Sequence, residues 1–93
     1  MSENTKKQTL KSRQNKSDKD NVYFLTLFND DINSFDYVID CLVEVCDHDI
    51  IQAEQSAIIA HYTGKCEIKK GNKSQLQKMH LALIRKGLKA GIE

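Results

Sequence analysis

The chain has 93 residues, 40% of them apolar, with no Pro and no Trp, which allows one small domain with a modest stability margin. Its formal net charge of +1 supplies no global field to draw nucleic acid or a membrane surface, and no apolar run approaches the roughly 18 residues of a membrane-spanning helix. The three cysteines, Cys41, Cys46 and Cys66, form no CxxC pair and are odd in number, so a reduced, cytoplasmic protein with small buried thiols is expected.

Residues 1 to 20, MSENTKKQTLKSRQNKSDKD, differ in composition from the rest. Lys6, Lys7, Lys11, Arg13, Lys16 and Lys19 outnumber Glu3, Asp18 and Asp20, and Leu10 is the single large apolar residue after Met1. Such a segment buries too little surface to offset its ordering entropy, and it lacks the apolar region of a secretory signal. It is expected to be a disordered basic tail, with the folded domain over residues 21 to 93.

Val22 to Phe28 is rich in β-branched and aromatic residues and reads as a strand, with Tyr23, Leu25 and Leu27 on one face. Asn29, Asp30 and Asp31 follow it. Helical spacing then begins at Phe35 and continues through Val38, Ile39, Leu42, Val45 and Cys46, with Asn33 or Ser34 as the cap. Asp36, Asp40 and Glu44 form an acidic stripe opposite, which reads as a solvated face.

A second helix is expected after Asp49, with Gln52 as a capping-box partner. Ile50, Ala53, Ala57, Ile58 and His61 are expected on its inner side, and Gly64 as its stop. Lys65 to Lys69 alternates, so a short strand is expected with Cys66 and Ile68 on one face. Gly71-Asn72 makes a turn, and Ser74 with Gln77 matches a second capping box. Leu76, Met79 and Leu83 line a third helix, with Ile84 left open, and Gly87 ends it after Arg85 and Lys86. Leu88, Ala90 and Ile92 alternate as a last strand. The order β-α-α-β-α-β implies an α+β fold, a small three-stranded antiparallel sheet packed against three helices.

Few of these residues imply catalysis. Cys46, Asp47, His48 and Asp49 form only part of a zinc set, which needs about four ligands in fixed geometry. Cys41 or Cys66 could pair with His61, yet no nucleophile motif surrounds them, and buried structural thiols fit better. The basic tail carries no interleaved aromatics of the kind that bind single-stranded nucleic acid. No enzyme activity, metal or cofactor is expected. Asn29, Asp30 and Asp31 are turn formers, and taken alone they fit either a turn or a grip on a small cation. His61 taken alone fits a core histidine.

Two segments carry a resemblance. "NDDINSFDYVID" followed about twenty residues later by "HYTGKC" resembles the ClpS family of N-end-rule adaptors, and the likeness runs from about Tyr23 to Glu93. Such adaptors bind the free N-terminus of a protein marked for degradation and pass it to the N-terminal domain of a Clp-family AAA+ unfoldase. The resemblance implies an α-amino clamp of Asn29, Asp30 and His61, with Asp31 matching the motif. It also implies a hydrophobic pocket at Asn33, Phe35, Val38, Ala57, Ala60 and Leu88 for a bulky apolar or aromatic first side chain. Family members often carry Met where this chain has Phe35 and Ala57, which implies a larger rim and a roomier floor. The expected partners are the unfoldase and N-degron substrates of a monomeric adaptor, without nucleic acid or membrane. The alternative is a ClpS-like modulator of the unfoldase that has lost N-degron binding, with Phe35 filling its own pocket as the sign.

Overall fold

The computed structural model describes residues 21–93; the basic tail expected over residues 1 to 20 lies outside the described residues. The elements run β1 Tyr23–Phe28, α1 Phe35–Cys46, α2 Ile50–Thr63, β2 Lys65–Gly71, α3 Lys73–Arg85 and β3 Ala90–Ile92. This is the β-α-α-β-α-β order that the sequence pattern predicts. β1 is central in the sheet, in the order β2-β1-β3, and both its neighbours are antiparallel to it.

The alternation in β1 sets the two faces of the sheet. Leu25 and Leu27 are buried and join a core with Val38, Leu42, Ala53, Ile68, Leu76, Leu83 and Leu88. α2 and α3 pack on β1, while α1 packs across α2 and α3. Burying each large aliphatic side chain stabilises the fold by about 1.5–3 kcal/mol. Thr26 is buried on the opposite face, where its hydroxyl donates to Glu93 Oε1 at 3.2 Å.

Each helix begins on a polar side chain. Ser34, one of the two candidates, caps α1 by accepting from the Tyr37 N–H, and Asp49 caps α2 by accepting from the Gln52 N–H. α3 starts two residues earlier than expected. Asn72 Oδ1 accepts from the Gln75 N–H at 2.8 Å, and Gln75 Oε1 accepts from the Asn72 N–H at 3.1 Å. This complete capping box replaces the expected pair Ser74 and Gln77, because Asn72 is both the turn residue and the first side chain able to satisfy the helix end.

The inner side of α2 also differs from the sequence reading. Ala53, Ser56, Ala57 and Ala60 face the core, whereas Ile50 is 63% exposed and Ile58 and His61 are exposed. Polar and apolar residues are spread round the helix rather than sorted onto two faces, so periodicity marks no inner face. Its small residues turn inward because they let the helix approach the sheet closely. On α3, Leu76 and Leu83 are buried, Met79 packs against the core and Ile84 is exposed.

β2 runs past Lys69 to Gly71 and carries a bulge. Leu25 pairs with Lys69 and Thr26 with Glu67, which leaves Ile68 without a partner on β1. The buried His48 donates its Nε2–H to the Ile68 carbonyl at 2.8 Å. The four residues weighed as half a zinc set are thereby dispersed. Cys46 and His48 enter the core, Asp47 takes the left-handed position ending α1, and Asp49 caps α2.

Asn72→Ala should lower stability by about 0.5–2 kcal/mol, the usual cost of losing such a cap. Ser74→Ala should change it by a few tenths at most, because Ser74 is exposed in the first turn. Urea unfolding of the two variants checks the position of the helix start; equal losses would put the cap where the sequence pattern first placed it.

Candidate functional site

β1 ends where α2 ends, and one backbone contact makes this so. The Asn29 N–H donates to the Gly64 carbonyl at 2.9 Å. Gly64 lies at φ 100°, a left-handed conformation that costs glycine little, and its own N–H returns to Ala60 at 3.0 Å. His61, in the last turn of α2, is thus brought beside the strand end. Its ring meets Tyr62 edge-on, with centroids 4.9 Å apart. Among the described residues, neither the Asn29 side-chain amide nor the His61 ring has a hydrogen-bond partner. Both stand exposed with acceptor capacity unused.

Asp30 is the opposite case. Its Oδ1 accepts from the Ile32 N–H at 2.8 Å and the Asn33 N–H at 3.2 Å, an aspartate turn that reverses the chain toward α1. Its Oδ2 accepts from the Asn33 side-chain amide. Partial burial pulls the Asp30 carboxyl upward. The bonds from the Asn33 side chain and the Ile32 and Asn33 backbone, with the charge of Lys89, more than offset that and hold it below the usual carboxylate value.

Between strand end, turn and helix lies a cleft lined by Leu27, Asn29, Asp30, Asn33, Phe35, Val38, Ala57, Ala60 and His61. Its enclosed volume is only about 30 Å³, far below that of small-molecule sites, so at most one side chain could enter it and a larger ligand could not. Leu27, Val38, Ala57 and Ala60 are buried and give it an apolar floor, while Asn29, Asp30, Asn33 and His61 supply polar groups toward solvent. Phe35 stands at the edge, 42% exposed. Such a site can hold an apolar group below and a donor-rich cation above.

Eight of the ten residues named from the sequence line this cleft, and two do not. Asp31 is exposed beyond the lining. Leu88 is buried in the core, its N–H bonded to the Leu83 carbonyl at 3.1 Å, because the chain turns inward before β3. Leu27 lines the cleft without having been named. Its signal was in the sequence: it is the last inward residue of the strand before the Asn-Asp-Asp motif.

Elsewhere, the cysteines are poor nucleophiles. Burial pushes the Cys46 thiol up to about 11 and raises those of Cys41 and Cys66. Among the described residues, no three His, Cys, Asp or Glu side chains come together as a metal site, and no helix is long and apolar enough to cross a membrane.

The model of one protein family, described as "ATP-dependent Clp protease adaptor protein ClpS", matches residues 18–90. A comparison with curated protein sequences finds no match. Among solved structures, that of Agrobacterium tumefaciens ClpS2 bound to L-phenylalaninamide superposes with a TM-score of 0.72. It is 18% identical over 77% of this chain and 94% of the other, a likeness of fold.

Because the Asp30 carboxyl is held low in the folded state, its contribution to stability is fully present above the unfolded value of about 3.9 and is lost as pH falls through the lower folded value. Asp30→Ala should therefore be less stable at neutral pH and flatten the acid limb of the stability curve. Urea midpoints measured down the acid range check this; a parallel curve would mean that the aspartate turn holds no charge-dependent bond.

Proposed function

The chain belongs to the ClpS family of ATP-dependent Clp protease adaptor proteins, and we propose that its cleft receives the free N-terminal residue of substrate proteins. The observation that carries this is the meeting of unpaired polar acceptors with an apolar floor in one side-chain-sized cleft. An α-amino group is a compact cation with three donors. Asn29 offers it an amide oxygen, His61 a ring nitrogen and Asp30 what acceptor capacity its Oδ2 retains. Asp31 adds negative potential from outside the lining. The first side chain enters between Phe35, Val38, Ala57 and Ala60, with Leu27 below. The Agrobacterium tumefaciens ClpS2 structure holds L-phenylalaninamide, a free amino group beside a benzyl side chain, and an apolar floor below polar acceptors is the chemistry that such a pair calls for.

Magnitudes fit a carrier that must release its cargo. Charge-assisted hydrogen bonds contribute about 1.5–3 kcal/mol each, and burial of a Leu or Phe side chain about the same. Set against the association cost, this amounts to roughly micromolar binding. The adaptor then hands the bound protein to a Clp-family AAA+ unfoldase, through the unfoldase N-terminal domain, as a cytoplasmic monomer without cofactor or catalysis of its own. The rival reading, a modulator that has lost N-terminal recognition, called for Phe35 to fill the pocket. Phe35 instead flanks an open cleft with 42% of its surface exposed.

Peptides beginning with Phe, Tyr, Trp or Leu should bind with a free amino group and fail when acetylated, since acetylation removes the charge and at least two donors. Asn29→Ala and His61→Ala should each weaken binding tenfold or more, at about 1.5–3 kcal/mol per bond. Thermal stability should change little, because both side chains are exposed. Fluorescence titration decides: equal affinity for the acetylated peptide sinks the clamp.

Ala57 leaves depth in the floor, so Phe should bind about fivefold more tightly than Leu, on the order of 1 kcal/mol for the added ring carbons. Ile and Val should be excluded by their branch next to the clamp. Ala57→Met should fill the floor and reduce Phe binding more than Leu binding. An unchanged Phe-to-Leu ratio in that variant would show that residue 57 does not set the depth.

A further inference from the structure

Asn33 does more than line the cleft. Its side-chain nitrogen faces two acceptors, Asp30 Oδ2 and the Gly87 carbonyl, the latter at 2.9 Å. Both partners only accept, so the NH₂ end must point at them, and its two N–H groups suffice for one bond each. The Gly87 carbonyl is a fixed point. Gly87 lies at φ 88°, its N–H donates to the Ile84 carbonyl at 2.9 Å, and the next N–H, of Leu88, donates to the Leu83 carbonyl at 3.1 Å. From α1, the Tyr37 hydroxyl donates to the neighbouring Lys86 carbonyl at 2.6 Å, and Glu44 pairs with the Lys86 ammonium at 3.0 Å. The end of α3 is therefore braced against α1, and Asn33 carries that anchorage across to the Asp30 turn.

We infer that Asn33 is a positioning residue whose amide ties the Asp30 carboxylate to the Gly87 carbonyl at the end of α3 and so fixes the anion at the mouth of the cleft. Without that amide, Oδ1 keeps its two backbone bonds, but Oδ2, the oxygen with capacity left for a bound cation, loses its only protein donor among the described residues. The inference rests on the N-terminal-residue reading for its functional half, while its structural half stands on the bonds alone. The charged and titratable groups near the carboxylate are Lys89, ahead of β3, which lowers it; Asp31, its neighbour; and His61, across the cleft on α2. None of these changes when Asn33 is replaced by Ala or Ser, so a shift in the behaviour of Asp30 in those variants reports on the lost amide, whereas Asn33→Asp adds a like charge of its own.

The test uses the full chain with Asn33→Ala, Asn33→Asp and, as a variant keeping a single donor, Asn33→Ser. The side-chain carboxyl of Asp30 is titrated by NMR without ligand. It should titrate at higher pH than in the natural protein in all three variants, most in Asn33→Asp and least in Asn33→Ser; an unmoved titration overturns the inference. A fluorescent peptide beginning with Phe is then titrated from about pH 7 down into the acid range below the ordinary carboxyl value of about 3.9. In Asn33→Ala the affinity should fall several-fold and its loss toward acid should begin at higher pH. A uniform loss with the acid limb unmoved would make Asn33 a lining residue only and overturn the positioning role. If the natural protein binds no such peptide, the N-terminal-residue reading fails, while the carboxyl titration still decides whether Asn33 holds Asp30.

Discussion

The hydrogen bond from the Asn29 N–H to the Gly64 carbonyl joins two chain segments that neither local propensity nor sheet pairing alone would bring together. β1 runs down the middle of the sheet and α2 lies across it. Only where the strand's last backbone donor meets the helix's turned-out terminal carbonyl do their ends coincide. The left-handed Gly64 makes this possible, because it ends the helix in one residue and frees its carbonyl for the strand. Asn29 and His61 become neighbours as a consequence, and every polar contact proposed for an α-amino group follows from that coincidence.

The apolar half of the cleft comes from what α2 leaves out. Its inner stripe is Ala53, Ser56, Ala57 and Ala60, small enough to let the helix sit low on the sheet. Toward its C-terminal end the same smallness leaves open space beside Val38 and Leu27. Larger side chains at 57 and 60 would fill that space and add the stability that a cavity forfeits. A domain with a small core thus gives up some packing where the cleft lies.

Polar groups divide in the same spirit. Asp30 is spent mostly on its own loop, accepting two backbone N–H groups and one side-chain amide, and its anion is held ionised by those donors. The Asn29 side-chain amide and the His61 ring have no hydrogen-bond partner among the described residues. Preorganised charge beside unpaired acceptors is an arrangement suited to an incoming cation, since the ordering has been completed before the ligand arrives. Cys41, Cys46 and His48, which could have suggested chemistry, are instead sequestered in the core or bonded to the bulge at Ile68.

The sequence by itself determined the element order, the central strand's inner face, the cap of α2, the stops at Gly64 and Gly87, and eight lining residues of the cleft. These depend on alternation, helical spacing, capping chemistry and a motif pair, all of which act over a few residues or are written into the residue types. The start of α3 at Asn72 rather than Ser74 is also a local matter, since two capping patterns overlap in the sequence and the Asn72–Gln75 pair is the one whose two bonds form. The tertiary structure alone decided which side of α2 faces inward, because polar and apolar residues are spread round that helix without a clear directional pattern, so that Ile50 and Ile58 went to solvent and alanines to the sheet. It alone drew Leu88 into the core and Leu27 into the cleft, and it alone joined Asn33 to Gly87. The facing of α2, the placing of Leu88 and Leu27 and the bond from Asn33 to Gly87 join residues far apart in the chain, and such distances are fixed by how closely the layers pack rather than by any local preference.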